Sequence, residues 1–192
     1  MKLWTVQPLL VYEKLKQGNI YRCDEQLCLW KDIDDFQRAH QWISQQMEKK
    51  ISLAPEGVKY PIWAWHTINW KHNVPDLRKS LFRNFKDDYV CIELEIPDEK
   101  VLLSDYNAWK KVLNDQYIDF SFTEEEHKKI MAEYNSFSDE EKEVLKHKSW
   151  ENIFFVLPVQ NGWIQTGRYI QASFWEIRPE YIKGVRYINR KK

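Results

Sequence analysis

Glycine is scarce, with five in 192 residues, and that scarcity excludes a set of chemistries. A phosphate cradle made of backbone amides needs closely spaced glycines, and neither Gly-x-Gly-x-x-Gly nor a Walker loop occurs. A nucleophile elbow, His-Glu-x-x-His and zinc-finger spacing are missing as well. Folds that bind dinucleotides without such a loop remain open. Cysteine is sparse too: Cys23, Cys28 and Cys91 make an odd number, and Cys23 and Cys28 have no nearby histidine pair to complete a zinc site. No metal site is expected, and a reduced, cytoplasmic setting is. Charge of one sign is absent, since 29 Lys and Arg balance 29 Asp and Glu. No global electrostatic argument for nucleic acid or membrane follows from a net charge of zero. No apolar run is long enough to span a bilayer, and Met1 to Pro8 lacks the continuous apolar core of a secretory leader, so no membrane association is expected.

Aromatic residues are plentiful: 15% of the chain, with ten tryptophans spread from Trp4 to Trp175. A soluble chain rarely exposes large apolar patches, so most of these rings belong to a core. They are densest between Tyr60 and Trp70, where Tyr-Pro-Ile-Trp-Ala-Trp-His-Thr-Ile-Asn-Trp reads as a strand from Tyr60 on. Period two puts Tyr60, Ile62, Ala64, His66 and Ile68 on one face and Trp63, Trp65 and Thr67 on the other. Both faces are largely apolar, which suits a strand covered on both sides. Such a strand is either plain core or one wall of a pocket for a flat ligand. His66 is accordingly either a ligand-facing acid or base or a hydrogen-bonded core histidine.

The remaining pattern predicts one α+β domain over residues 1–192: a twisted, mixed, mostly antiparallel sheet flanked by helices. A strand at Leu3–Val6 leads into a helix that starts at Pro8 and stops at Gly18. Asp34 is expected to cap a helix running to Lys50, and Tyr89–Ile96 alternates as a half-exposed strand. Ser104 is expected to cap a helix through Asn114. Residues 115–149 read as a helical insertion with capping boxes at Thr123 and Ser138. Asn152–Pro158 and Tyr169–Ile177 read as strands, with turns at Gly162 and Gly167, and Val185–Ile188 as a last short strand. The basic tail Arg190-Lys-Lys192 is too short to argue a nucleic-acid site.

Within Tyr169–Ile177, Glu176 joins an apolar face, where a carboxylate needs a partner. It is either an edge glutamate paired to a basic residue or a carboxylate that binds a ribose hydroxyl and stabilises an oxocarbenium-like centre. Leu3-Trp-Thr-Val-Gln7, Tyr60-Pro-Ile-Trp-Ala-Trp65, Leu102-Leu-Ser-Asp-Tyr-Asn-Ala-Trp109 and Gln171-Ala-Ser-Phe-Trp-Glu176 together resemble an uncharacterised bacterial domain family, over nearly the whole chain. More distantly, the order strand, helix, glycine, aromatic strand and late glutamate is similar to the ADP-ribosyltransferase fold. That resemblance implies NAD as the substrate and Glu176 as the catalytic carboxylate. Thr5 and Gln7 would hold a ribose or the amide, and Tyr60 with Trp63 or Trp65 would sandwich the nicotinamide, His66 lying on the same strand. A nucleic acid or a protein would be the acceptor. The chain departs from the fold's pattern in having no histidine or arginine in the first strand and no Ser-Thr-Ser after the aromatic one. The competing expectation is a non-catalytic binding or regulatory protein with a groove for a nucleobase, a peptide or a partner helix.

Overall fold

The computed structural model describes residues 1–28, 33–85, 88–161, 163 and 165–188. Trp30, the turn at Gly162 and the basic tail from Arg190 lie outside the described residues. The chain opens with β1 (Lys2–Pro8) and α1 (Leu9–Lys16), followed by a two-residue β2 (Tyr21–Arg22). Gly18 ends α1 at φ +84, a backbone conformation that a Cβ disfavours. Then come α2 (Asp34–Lys50), β3 (Ile62–Ile68), β4 (Tyr89–Glu95), β5 (Leu102–Asp105) and α3 (Tyr106–Leu113). The helical pair α4 (Glu124–Ser136) and α5 (Asp139–Ser149) precedes β6 (Val159–Gln160), β7 (Gln165–Thr166), β8 (Tyr169–Phe174), β9 (Glu176–Ile177) and β10 (Ile182–Tyr187).

Six strands form one sheet in the order β10-β4-β1-β3-β8-β5, every described pair being antiparallel. The expected α+β architecture with a mostly antiparallel sheet is present. One face, carrying Leu3, Ile62, Ala64, Ile92 and Phe174, buries Val11 and Leu15 of α1. The other carries Trp63 and Leu102 and packs on Ala39, Ile43 and Met47 of α2 and Trp109 and Val112 of α3. Both faces of β3 are therefore covered, which is why its sequence is apolar in both phases. Trp4, Trp65, Trp109, Trp150 and Trp175 are buried.

Several local expectations are corrected by tertiary context. Trp65 pairs with Gln171 but Thr67 with Ile170, so His66 is an extra residue and the strict alternation breaks there. Thr67 thereby crosses to the face of Ile62 and Ala64. Ser104 does not cap α3; it is fully buried in β5, and Asp105 caps the helix by accepting from the amides of Asn107 (2.8 Å) and Ala108 (3.0 Å). Asp34 is the first residue of α2, after Ile33 at the cap position. Asn152–Pro158 is not a strand: α5 continues as a tight helical turn over Trp150–Phe154, which buries Trp150 and Ile153. Tyr169–Ile177 divides at Trp175, whose buried indole donates to Ser52 O at 3.0 Å, and the chain leaves the main sheet to pair with β2. The range 115–149, expected to be helical, holds the pair α4 and α5. Ser138 forms the complete capping box, whereas the carboxylate of Glu126 accepts from Phe122 N and not from the Thr123 amide. Lys146 anchors α5 through Asp115 (2.8 Å) and Glu143 (2.6 Å).

Asp105 makes three of these contacts at once. Its second oxygen accepts from Gly167 N at 2.8 Å, tying the start of α3 to the turn before β8. That turn needs glycine: φ is +76, and a Cβ would meet Pro158 Cα and Val156 O, each at 2.9 Å. Asp105→Ala leaves three amides without an acceptor and is expected to lower the unfolding free energy by about 2–4 kcal/mol, against about 1 kcal/mol for Ser138→Ala. Urea denaturation of the two variants side by side checks the ranking.

Candidate functional site

The geometry of the site begins at one side chain. β1 follows β4 along its whole length, from Lys2 opposite Glu95 to Pro8 opposite Tyr89. Against β3 it meets a single register pair, Trp4 with Trp65. One residue further on, the Thr5 hydroxyl donates to the Trp63 carbonyl at 2.7 Å. A side chain thus takes the place of a ladder hydrogen bond, and the strands part beyond it. Gln7 Nε2 donates back to the Thr5 oxygen at 2.8 Å, which fixes the glutamine at the edge of the gap.

The gap is a cavity of about 260 Å3 whose lining includes Gln7, Tyr21, Trp63, Trp65, Phe85, Tyr89 and Gln171. Its walls are aromatic, and its polar side-chain groups are two glutamines, Asp24, the thiols of Cys23 and Cys28 and the hydroxyls of Tyr21 and Tyr89. Trp65 is held edge-on by Tyr106 (5.1 Å) and Phe82 (6.4 Å), and Trp63 is backed by Trp109 at 5.0 Å. These walls are rigid because their far sides are packed. The Tyr21 hydroxyl is pushed up in pKa, chiefly by burial, so it stays a neutral donor. Among the described residues no group of three or more His, Cys, Asp or Glu side chains could hold a metal ion.

Of the residues singled out from the sequence, Gln7, Trp63 and Trp65 line this cleft. Thr5 is buried at its apex. Tyr60 is buried beside it and lines an adjoining depression with Arg22, Asp24 and Lys59. His66 lies beyond the closed end, with its ring 4.0 Å from that of His72 and its Nδ1 2.9 Å from Thr67 Oγ1. Glu176 is not brought to the cleft; it lines a separate hollow with Arg22, Trp175 and Arg178. Arg178 Nε donates to one of its oxygens at 2.7 Å and Arg22 to the other at 3.2 Å. Burial pushes its pKa up, but the hydrogen bonds and charges of Arg178 and Arg22 outweigh this and hold the carboxyl below its ordinary range.

Gln171 had no role in the sequence reading, because a strand pattern does not say which residue faces a gap. Nor did His127. In the structure its Nδ1–H donates to Asp119 Oδ2, which also accepts from Ser121 Oγ at 2.8 Å, inside a second cavity of about 320 Å3 between α3 and α4. The eight-residue spacing of Asp119 and His127 spans a loop and a helix start, so no periodic signal marks it.

A family model described as "Domain of unknown function (DUF3841)" matches residues 2–183. No curated protein and no solved structure matches the chain. Among the described residues no helix is long and apolar enough to cross a membrane.

His40, another residue without a role in the sequence reading, lies under this site. It is 5% exposed, with Nδ1 2.7 Å from Phe36 O and its ring against Tyr60, Trp63 and Trp109. Burial lowers its pKa to about 4, against a smaller opposing effect of the Phe36 carbonyl. Burial, then the charge of His72, brings His66 to about 4 also. In the unfolded chain both return to roughly 6.5. Between these values the unfolded state binds more protons, so stability is complete above about pH 6.5 and falls as pH drops towards 4. For His40 the loss amounts to at most roughly 3 kcal/mol, at about 1.4 kcal/mol per pH unit. Urea melts from pH 7 to 5 are expected to show this decline, and His40→Gln to flatten it.

Proposed function

The chain belongs to the DUF3841 family, and we propose that it uses the cleft between β1 and β3 to bind NAD by its nicotinamide end, in an ADP-ribosyltransferase-like manner. The observation that carries this is the parting of the sheet at Thr5, which opens an aromatic slot with the side-chain amides of Gln7 and Gln171 at its edge. A volume of about 260 Å3 falls below the roughly 300–1,000 Å3 of pockets that hold drug-sized molecules. It suits one heterocycle and leaves the rest of a dinucleotide outside. The Gln171 side chain makes no hydrogen bond to another described residue, and Gln7 Oε1 is similarly uncommitted. Two primary amides of this kind complement a carboxamide, which both donates and accepts.

Cleavage of the nicotinamide–ribose bond develops positive charge on the ribose and calls for a carboxylate within reach. Glu176 is committed to two arginines in another hollow. Asp24 is the carboxylate that lines the cleft among the described residues, so the transferase reading rests on Asp24. One observation favours a second reading, of a non-catalytic binding protein: Asp24 Oδ1 already accepts from Gln26 N at 3.0 Å as the cap of a short helical turn.

Titration calorimetry with NAD is expected to give saturable binding. Gln171→Ala should weaken it about five- to tenfold, the worth of one hydrogen bond, while Glu176→Gln changes it less than about threefold. No heat at millimolar NAD from folded protein would sink the proposal. Nicotinamide release that is abolished in Asp24→Asn would decide for transfer, and none in the parent protein would decide for binding alone.

A further inference from the structure

Cys23 and Cys28 stand on the wall of the cleft with their sulfurs 3.6 Å apart. Cys23 follows β2, and Cys28 follows the short turn Glu25–Leu27 that Asp24 caps, so the two thiols are the ends of one small loop. From this geometry we infer that Cys23 and Cys28 are a dithiol modification site that closes to a disulfide when a low-molecular-weight disulfide of the glutathione type oxidises it. A disulfide needs about 2.05 Å between sulfurs, so closure asks for an approach of roughly 1.5 Å. That is a small adjustment for the loop between them.

The two thiols are not equivalent. The contact between the two sulfurs lowers the pKa of Cys28 against the opposing effect of burial, while the same contact and then burial raise that of Cys23. Cys28 is thus the attacking thiolate. It attacks one sulfur of the small disulfide, a mixed disulfide forms on Cys28, and one small thiolate leaves and takes up a proton. Cys23 gives its proton to solvent and attacks the Cys28 sulfur, which expels the second small thiol. Two protein thiols have lost two electrons, and one small disulfide has become two thiols. Cys91 stands apart: it is buried in β4, with its sulfur 3.5 Å from Arg186 Nη2.

The loop that closes is a wall of a cavity of only about 260 Å3 and carries Asp24. On the reading of the cleft as a nicotinamide site, the oxidised and reduced forms therefore bind NAD with affinities at least about fivefold apart.

The test treats full-length protein with a glutathione redox series, counts thiols after denaturation and maps the link by mass spectrometry. Wild type and Cys91→Ser are each expected to lose two thiols to a Cys23–Cys28 link that dithiothreitol reverses. Cys23→Ser is expected to stop at a glutathione adduct on Cys28, and Cys28→Ser to react slowly. Three thiols persisting in wild type, a lasting glutathione adduct on it, or a link through Cys91 would overturn the assignment. NAD titration of both forms decides the coupling: equal affinity overturns it. If neither form binds NAD, the proposed function and the coupling fall together, and the thiol count still decides the dithiol.

Discussion

A threonine hydroxyl that occupies a backbone carbonyl is the constraint on which the rest of this molecule depends. Antiparallel strands zip because each amide finds a carbonyl at a fixed repeat. Where the Thr5 hydroxyl takes the Trp63 carbonyl, the repeat is interrupted immediately after the Trp4–Trp65 pair. β1 loses nothing on its other side, since β4 remains in register to Pro8. The sheet can therefore open at its middle without coming apart. The same hydroxyl accepts from Gln7, so opening the gap and placing its edge amide are one event.

The open sheet is held rigid by alternating bulk across strands. On the face toward α2 and α3, Trp63, Ser173 and Leu102 form one row and Trp65, Gln171 and Ser104 the next. Ser173 beside Trp63 gives that indole room, whereas Trp65 stands between Trp4 and Gln171. The arrangement has a cost: Trp63 Nε1, Ser104 Oγ and Ser173 Oγ are buried without a partner among the described residues. Each such group costs about 1–3 kcal/mol. An indole buries roughly 150–250 Å2, worth about 4–6 kcal/mol at about 25 cal/mol per Å2. The indoles outweigh the hydroxyls, and the polar atoms are tolerated where they stand.

Much of this was legible in the sequence, for local reasons. The aromatic strand, the glycine stop of α1, the alternation of Tyr89–Glu95 and the Ser138 capping box follow from spacing or from a single residue's chemistry. Gln7, Trp63 and Trp65, singled out from the sequence by aromatic density and by the resemblance in strand order, line the cleft. The split was not legible, because whether a threonine bonds across or along a strand depends on a partner 58 residues away. The bulge at His66 reverses a phase that period two reads as continuous. Trp150–Phe154 is as apolar as a strand, and only the packing of Trp150 and Ile153 makes it helical. Asp105 was passed over for Ser104 because the two are neighbours of similar capping power, and β5 was not separately visible.

Glu176 shows what residue type alone leaves open. A carboxylate on an apolar strand invites a catalytic role, yet an ionised group within reach of two guanidinium groups has its charge already matched. Arg22 is 45% exposed and Arg178 39%, so each pair is a partly solvated bridge, worth on the order of 1 kcal/mol or less. These bridges lie on the β2–β9 pair, where Arg22 stands opposite Glu176 and Tyr21 opposite Ile177. Through β2 they adjoin Cys23 and Asp24 on the cleft wall. The position of that wall, however, is set by stronger terms: the backbone pairing itself and the burial of Tyr21 and Ile177 in the main core. Glu176 can trim the loop's energetics without determining where the loop sits. A residue that acts on the cleft only through a backbone already fixed by burial belongs to its scaffold, while the lining consists of the groups that the split exposes.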